Sequence, residues 1–397
     1  MPGSQRAASV IVGGARTPIG RLLGALGSVS AVELGAHAVR AALACSGVTA
    51  GAVERVILGN VLQAGLGQNP ARQAAVAAGI PMGVPAVTVN KVCLSSLEAI
   101  VLADLMIRAG EAEVIVAGGM ESMTQAPHVL PALRAGVRYG DARLVDTTAH
   151  DALTCAFDGI SMGEATERYT AAAGIDRAAQ DAVAAASHVR AAAAQAAGRF
   201  DDELVPVVVP QRRGDDVVVD RDEGVRPDTT EAGLARLRPA FDDEGTLTAG
   251  NSSQISDGAA AVVVMSRERA ERDGLPWLAE IVATGSVAGP DTSLLFQPAN
   301  AIEQALARAG LRTADVDLAE INEAFAAVAV ASQRRLGWSD AMVNVDGGAI
   351  ALGHPVGASG ARIALHLAHA LRAHGGGLGA AALCGGGGQG TAVLLRV

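Results

Sequence analysis

The chain carries four cysteines, Cys45, Cys93, Cys155 and Cys384, with no CxxC pair and no zinc-type spacing. Thiols spaced this way are either small buried hydrophobes or reactive groups. Cys93 follows the apolar run Val84–Val92 and precedes Leu94-Ser95-Ser96. That is a strand-to-helix junction, where helix N–H groups and the helix dipole favour a thiolate and hence a nucleophile. Read alone, a single cysteine is more often a buried hydrophobe. Cys45, in mid-helix, and Cys155, in an irregular region, keep that bland reading. Cys384 precedes Gly385-Gly386-Gly387-Gly388. Four successive glycines cost chain entropy, which makes sense where backbone N–H groups must face a developing negative charge. The bland alternative is a flexible C-terminal hairpin. His354 lies in the glycine-rich segment Gly347–Gly360. Tight turns there can bring an imidazole to a substrate carbonyl, whereas no Lys-Ser/Thr follows as a phosphate-cradling loop needs. A structural turn is the plain alternative. For Asn322-Glu323, ahead of an alanine-rich helix, it is a helix cap with a first-turn acid.

These residues need elements to hold them. Residues 8–13 read as a strand, Ser30–Ser46 as a helix, and Val53–Leu58 and Val84–Val92 as strands, the last of them buried. Leu97, Ile100, Val101, Leu105 and Met106 cover more than one face of a helix running from the Cys93 turn to about Ala109, so it should be largely buried. Glu113–Ala117 is a strand ending at Gly118-Gly119. Near the C-terminus the plan recurs: a strand at Met342–Val345, a glycine-rich turn, an apolar helix Gly360–Ala373, and a strand Gly379–Leu383 ending at Cys384. The recurrence points to two homologous α/β halves. Between them, about 120–248, lies a charged, irregular region. It has a helix capped by Asp176 and stopped by Gly198, and a strand-like Leu204–Val209. An ordered insertion of that length reads as a lid or binding domain.

Half of the 397 residues are apolar and only 2% are aromatic, while glycine and alanine abound. Small residues allow close packing of layered α/β structure. The formal charge of −10 and the lack of a basic run exclude nucleic-acid binding as a main role. Arg212, Arg213, Arg221 and Arg226 are the one local basic cluster, read singly as a solvated loop face. Met1–Ser9 has no apolar stretch of a secretory signal, and no run reaches membrane-span length. A cytoplasmic location with free thiols is expected.

Asn90-Lys91-Val92-Cys93, Gly118–Met123, the Asn322 motif, the His354 loop and the Cys384-glycine run follow in this order. Together they resemble the thiolase family over nearly the whole chain. Ala249–Ser253 and Asp257–Ala260 extend the likeness. The resemblance implies a five-layered αβαβα fold with two homologous α/β halves plus an inserted loop domain. The halves would be 1–120 with 249–273, and 274–397; the loop domain would be 121–248. Cys93 would be the acylated nucleophile. His354 would take its proton and donate to a thioester oxygen. Cys384 would move the α-proton of the second substrate. Asn322, through a water, and His354 would form one oxyanion hole; the N–H groups of Cys93 and Gly386 would form another. Coenzyme A would lie along Leu153, Met162, Ala240, Phe241, Ala249 and Ser253, with Arg226 at its adenine–phosphate end and Ala324 and Phe325 near the reacting carbons.

The implied substrates are coenzyme A thioesters: acetyl-CoA, acetoacetyl-CoA or another 3-ketoacyl-CoA, and CoA. No metal or tightly bound cofactor is implied. Leu133–Asp141 looks like the tetramerisation loop of biosynthetic members, implying a homotetramer and condensation of two acetyl-CoA. The alternative is degradative cleavage of longer 3-ketoacyl chains in fatty-acid β-oxidation. Decarboxylating ketoacyl synthases would leave Cys384 unexplained, and a non-catalytic binder would not retain all three reactive groups. The sequence departs from the biosynthetic pattern at Leu94-Ser95-Ser96, Ser161, Gly233 and Leu294–Pro298. These bear on chain-length preference and CoA affinity rather than on reaction type.

Overall fold

A computed structural model describes residues 8–397. Met1–Ala7, and with them most of the N-terminal reading, lie outside the described residues. The chain opens with β1 (Ser9–Arg16), β2 (Gly20–Arg21), α1 (Ala31–Ser46), β3 (Arg55–Gly59), α2 (Pro70–Ala77), β4 (Ala86–Val89), α3 (Ser95–Arg108) and β5 (Val114–Ser122). The irregular region follows, with β6 (His128–Val129), β7 (Val145–Asp146), α4 (Met162–Thr170), α5 (Arg177–Ala196), β8 (Val207–Val209), β9 (Val217–Val219) and α6 (Glu231–Leu234). Then come β10 (Ser256–Ser266), α7 (Arg267–Asp273), β11 (Ala279–Ala288), α8 (Gln297–Ala309), β12 (Leu318–Ile321) and α9 (Ala326–Leu336). The chain closes with α10 (Ala349–Leu352), α11 (Ser359–His374), β13 (Leu378–Gly385) and β14 (Gln389–Arg396).

Two sets of strands repeat one pattern. In the first, β1 pairs antiparallel with β10, β10 antiparallel with β5, and β5 parallel with β3. In the second, β11 pairs antiparallel with β14, β14 antiparallel with β13, and β13 parallel with β12. The sets join edge to edge through a short antiparallel contact of β1 with β11. Side-chain alternation then builds the layers. Val10, Val114, Val116, Val263 and Met265 pack under α1 and α2. Their neighbours Ile11, Ile115, Val262 and Val264 face α3 and α11, as do Leu383 and Val393 of the second set. Ala380, Ala382, Ala392 and Leu394 face away, toward α8. The order is helix, sheet, helix, sheet, helix, with α3 and α11 buried between the sheets. This is the expected αβαβα fold.

Several local expectations need correction. The strand at Val84–Val92 shortens to β4, which is an edge strand paired on one side only; Val87 is 48% exposed. Apolar composition cannot tell an edge from a centre. No strand forms at Met342–Val345. Val343 makes one parallel bridge to Ala319, the counterpart of β4 reduced to a single residue. Asn344 then turns the chain at φ 48, its side chain bonding both backbone groups of Ile321. The strand ending at Gly118-Gly119 instead runs through both glycines to Ser122. α3 is buried at Leu97, Ile100 and Val101, but Leu105 is exposed. Helix α5 has its Asp176 cap, with the side chain accepting the Ala179 N–H.

Candidate active site

The Cys93 turn is held by side chains on both sides of it. Val92 sits at φ 52, a region that β-branched residues rarely adopt and that costs about 1–3 kcal/mol. The Asn90 carboxamide oxygen accepts the Val92 N–H at 3.0 Å. The Ser95 hydroxyl accepts the Lys91 N–H at 2.8 Å and donates to the Val92 carbonyl at 2.6 Å. These bonds over-determine the strained turn, and α3 starts just beyond it at Ser95. The backbone N–H groups of Cys93 itself and of Gly386 lie close enough to the Cys93 sulfur to favour its thiolate. Here burial works against the helix-stabilised thiolate that the strand-to-helix junction offers. Burial pushes the Cys93 thiol up to about 12, against those two N–H groups, and nearby Glu121 pushes the same way. The sulfur lies before the helix cap, so the dipole is outweighed by lost hydration.

Cys384 lies near the end of β13, paired with Gly390 of β14. The glycine run is a tight, ordered hairpin: Gly385 pairs with Gln389, and Gly387 and Gly388 take φ 77 and 68. Its sharpness delivers the Gly386 N–H to Cys93. Burial raises the Cys384 thiol well above the usual range, and repulsion from Cys93 adds to this, so the two sulfurs lie within electrostatic reach. Both are thiols at rest.

His354 and Asn322 form the second pair. The His354 Nδ1 lies 2.6 Å from the Ser359 hydroxyl, which donates its one proton to the Pro355 carbonyl. Ser359 is therefore the acceptor, which places the imidazole proton on Nδ1 and leaves Nε2 as a free base. Burial, with the Arg362 guanidinium, holds the imidazole down to about 3. The Asn322 Nδ2 lies 3.5 Å from Nε2. Asn322 is no helix cap, because α9 starts four residues later at Ala326. The pairs are joined by packing. Cys93 lies against the cluster that holds Val356, two residues past His354. Ala324, two residues past Asn322, shares a cluster with Cys384.

The residues named for coenzyme A fall mostly into one wall. The Met162 N–H bonds the Leu153 carbonyl, and the Ser253 N–H bonds the Ala324 carbonyl. Phe241 meets Phe325 edge-to-face at 6.0 Å. Met162, Phe241, Ala324 and Phe325 share the Cys384 cluster. Ala240 and Ala249 are exposed beside the Pro239–Thr248 bridge. Arg226 stands apart, exposed, with its backbone N–H on His188 Nδ1 of α5. Arg212, Arg213 and Arg221 are also exposed, as a solvated loop face requires. An open cleft of about 880 Å³ lies between α5 and the β8–β9 hairpin, away from all of the reactive groups.

Sequence reasoning gave no holding role to the two carboxylates that brace this site. Glu121, fully buried, accepts N–H groups from Val61, Leu62 and Gly357, tying β5 to the His354 loop. Glu323 accepts from Ser187, Asn344 and the Ile350 N–H, joining α5 to the same loop. The one signal was a carboxylate within an apolar or glycine-rich run, as in Gly118-Gly119-Met120-Glu121.

Comparison with known proteins agrees with this architecture. Residues 9–268 match the thiolase N-terminal domain and residues 275–397 the thiolase C-terminal domain. A probable acetyl-CoA acetyltransferase of Mycolicibacterium smegmatis is 58% identical, covering 98% of this chain and 100% of the relative. The acetyl-CoA acetyltransferase of Pseudomonas aeruginosa is 50% identical, over 97% of this chain and 98% of its own. That of Cupriavidus necator is 50% identical over 98% of each. A doubled α/β half whose strands repeat one pairing pattern, matched along both halves, makes this chain a member of the thiolase family.

Proposed function

We propose that the chain is an acetyl-CoA C-acetyltransferase, reversibly condensing two acetyl-CoA to acetoacetyl-CoA and CoA. The observation that carries this is the nearness of the Cys93 and Cys384 thiols, with the Gly386 N–H turned toward Cys93, beside the Asn322–His354 pair. Cys93 attacks the first thioester carbonyl, and His354 Nε2 takes its proton. CoA departs as a thiol carrying the Cys384 proton. The site then holds acetyl-Cys93, a Cys384 thiolate and an imidazolium, with no net charge gained. That balance fits groups whose ionised forms are separately disfavoured. The thiolate removes the α-proton of a second acetyl-CoA. The enolate oxygen is held by imidazolium and Asn322 while its carbon attacks acetyl-Cys93. The Cys93 thiolate leaves and regains its proton from His354, which restores the start.

Coenzyme A binds along the Met162–Phe241–Phe325 wall as a substrate, with Arg226 at its phosphates, and no resident cofactor takes part. The names of the relatives support acetyl transfer. The exposed Leu133, Val137 and Tyr139 of the 133–141 loop support a homotetramer. The experiment is incubation with acetyl-CoA, digestion, and mass analysis. The Cys93 peptide gains an acetyl group; a label elsewhere, or none, sinks the reading. Cleavage of acetoacetyl-CoA exceeds that of a C8–C16 3-ketoacyl-CoA by about tenfold or more, and the reverse preference makes the enzyme a degradative one.

A further inference from the structure

Behind the Asn322–His354 pair lies an ion pair with no role in the steps above. Arg362, on α11 one turn beyond Ser359, is 3% exposed, and its Nη1 lies 3.3 Å from Glu320, itself buried. Glu320 is on β12, two residues before Asn322, and so projects from the same face of the strand. The guanidinium is thus anchored between the element that orients His354 and the element that presents Asn322. Two of its donors, Nε and Nη2, have no partner among the described residues. A purely structural arginine at this depth satisfies its fork, as Arg16 does with Glu203 and Asp222.

We infer that Arg362 is a positioning residue for the reaction: its buried charge, only partly balanced by Glu320, supports the negative oxygen that develops at Asn322 and His354. The inference rests on the thiolase reading of that site. Around the Arg362 guanidinium stand Glu320 of β12 and Glu323 just after it, with His366 of α11 and Asp346 acting on Glu320, while Glu121 of β5 accepts the Gly357 N–H of the His354 loop. Arg362 is the one of these whose field on His354 is felt directly, and it favours the neutral base. Glu320 is pushed up to about 7 by burial, against the pull of His366 and Arg362, so it neutralises the guanidinium incompletely. At low local dielectric an unbalanced charge acts over more than one shell.

The test compares Arg362→Gln, Arg362→Lys and Glu320→Gln in the full-length enzyme. A structural ion pair suffers equally from loss of either partner. The inference requires opposite signs. Arg362→Gln lowers kcat by about tenfold with KM little changed, and Arg362→Lys restores most of it. Glu320→Gln, which leaves the cation unbalanced, keeps or raises kcat. An NMR titration of labelled histidine adds an independent readout: the His354 midpoint rises in Arg362→Gln and does not rise in Glu320→Gln. Equal losses of kcat from both sides, or an unmoved midpoint in Arg362→Gln, overturns the inference. If Arg362→Gln does not fold, the double variant Arg362→Met with Glu320→Leu removes both charges without an orphan and carries the same kcat and midpoint expectations. Acetylation of Cys93 in the parent enzyme is measured alongside. Its absence defeats the thiolase reading, whereas its presence with no Arg362 effect defeats this inference alone.

Discussion

At the scale of residues, the site consists of groups kept neutral until substrate arrives. Cys93 is held up to about 12 and His354 down to about 3, each mainly by burial. Both shifts disfavour a thiolate–imidazolium pair at rest, so proton transfer is coupled to attack. A thiol with a raised midpoint gains thiolate as pH rises. The rate of Cys93 alkylation by iodoacetamide in the free enzyme thus climbs about tenfold per pH unit from 6 to 9. A plateau in that range contradicts the burial argument. The two thiols also separate by function. In Cys384→Ala, condensation falls by about 10²–10⁴-fold while acetyl still accumulates on Cys93; in Cys93→Ala no acetyl-enzyme forms and the fold persists. Mass analysis with and without a second acetyl-CoA distinguishes these outcomes.

At the scale of elements, the His354 loop is seated by close backbone approach. A Cβ added at Gly119 would lie 2.0 Å from the Gly357 carbonyl oxygen, and one at Gly59 would lie 2.7 Å from it. β3 and β5 thus present a flat, side-chain-free floor on which the loop rests, and Glu121 pins it there. Gly119→Ala forces the loop off that floor. It destabilises by about 1–3 kcal/mol. It also lowers kcat more than a substitution of equal stability cost on the far face of β5, measured as Tm and turnover together. Glu121 is pushed up to about 7, chiefly by burial, against three backbone donors. Glu121→Gln keeps the shape but loses acceptors, so the loop loosens and KM and kcat both worsen.

Across the whole molecule, the inserted region is locked to both halves by a buried ion cluster. Arg16 of β1 is bonded to Glu203 at 2.6 Å and to Asp222 at 2.7 Å, and His366 of α11 lies 3.0 Å from Glu203. Burial opposes ionisation of Glu203, but His366 and Arg16 outweigh it and hold its carboxyl near about 2, below 4.5. Its contribution is complete above 4.5 and is lost as pH falls toward 2. His366 is the opposite case. Burial lowers it, but Glu203 and Asp346 raise it to about 10, so its contribution is complete below 6.5 and fades as pH rises toward 10. Stability from this pair therefore peaks between 4.5 and 6.5. A Tm profile of the parent shows that peak, and the double variant Glu203→Leu with His366→Leu flattens it. Arg16→Ala strands Asp222, leaves Glu203 with His366 as its partner, and costs about 3–5 kcal/mol, measured by denaturant unfolding.

Some of this was written in the chain itself. The strand–turn–helix order around Cys93 and its recurrence before Cys384 follow from local patterning, because alternation, helical spacing and glycine turns are properties of short segments. The Asp176 cap is legible for the same reason. Long-range facts were not. Nothing in Val84–Val92 says that the strand is an edge, and nothing in Asn344 says that it replaces a strand by bonding Ile321. Cys93 looked like a helix-activated thiolate, since a junction is visible in sequence and burial is not. Ser359 fixes a tautomer, Glu121 pins a loop, and Arg362 meets Glu320 only because two sheets clasp α3 and α11 between them. Ionisation depends on which groups share a water-poor space, and that is decided by packing between residues hundreds of positions apart.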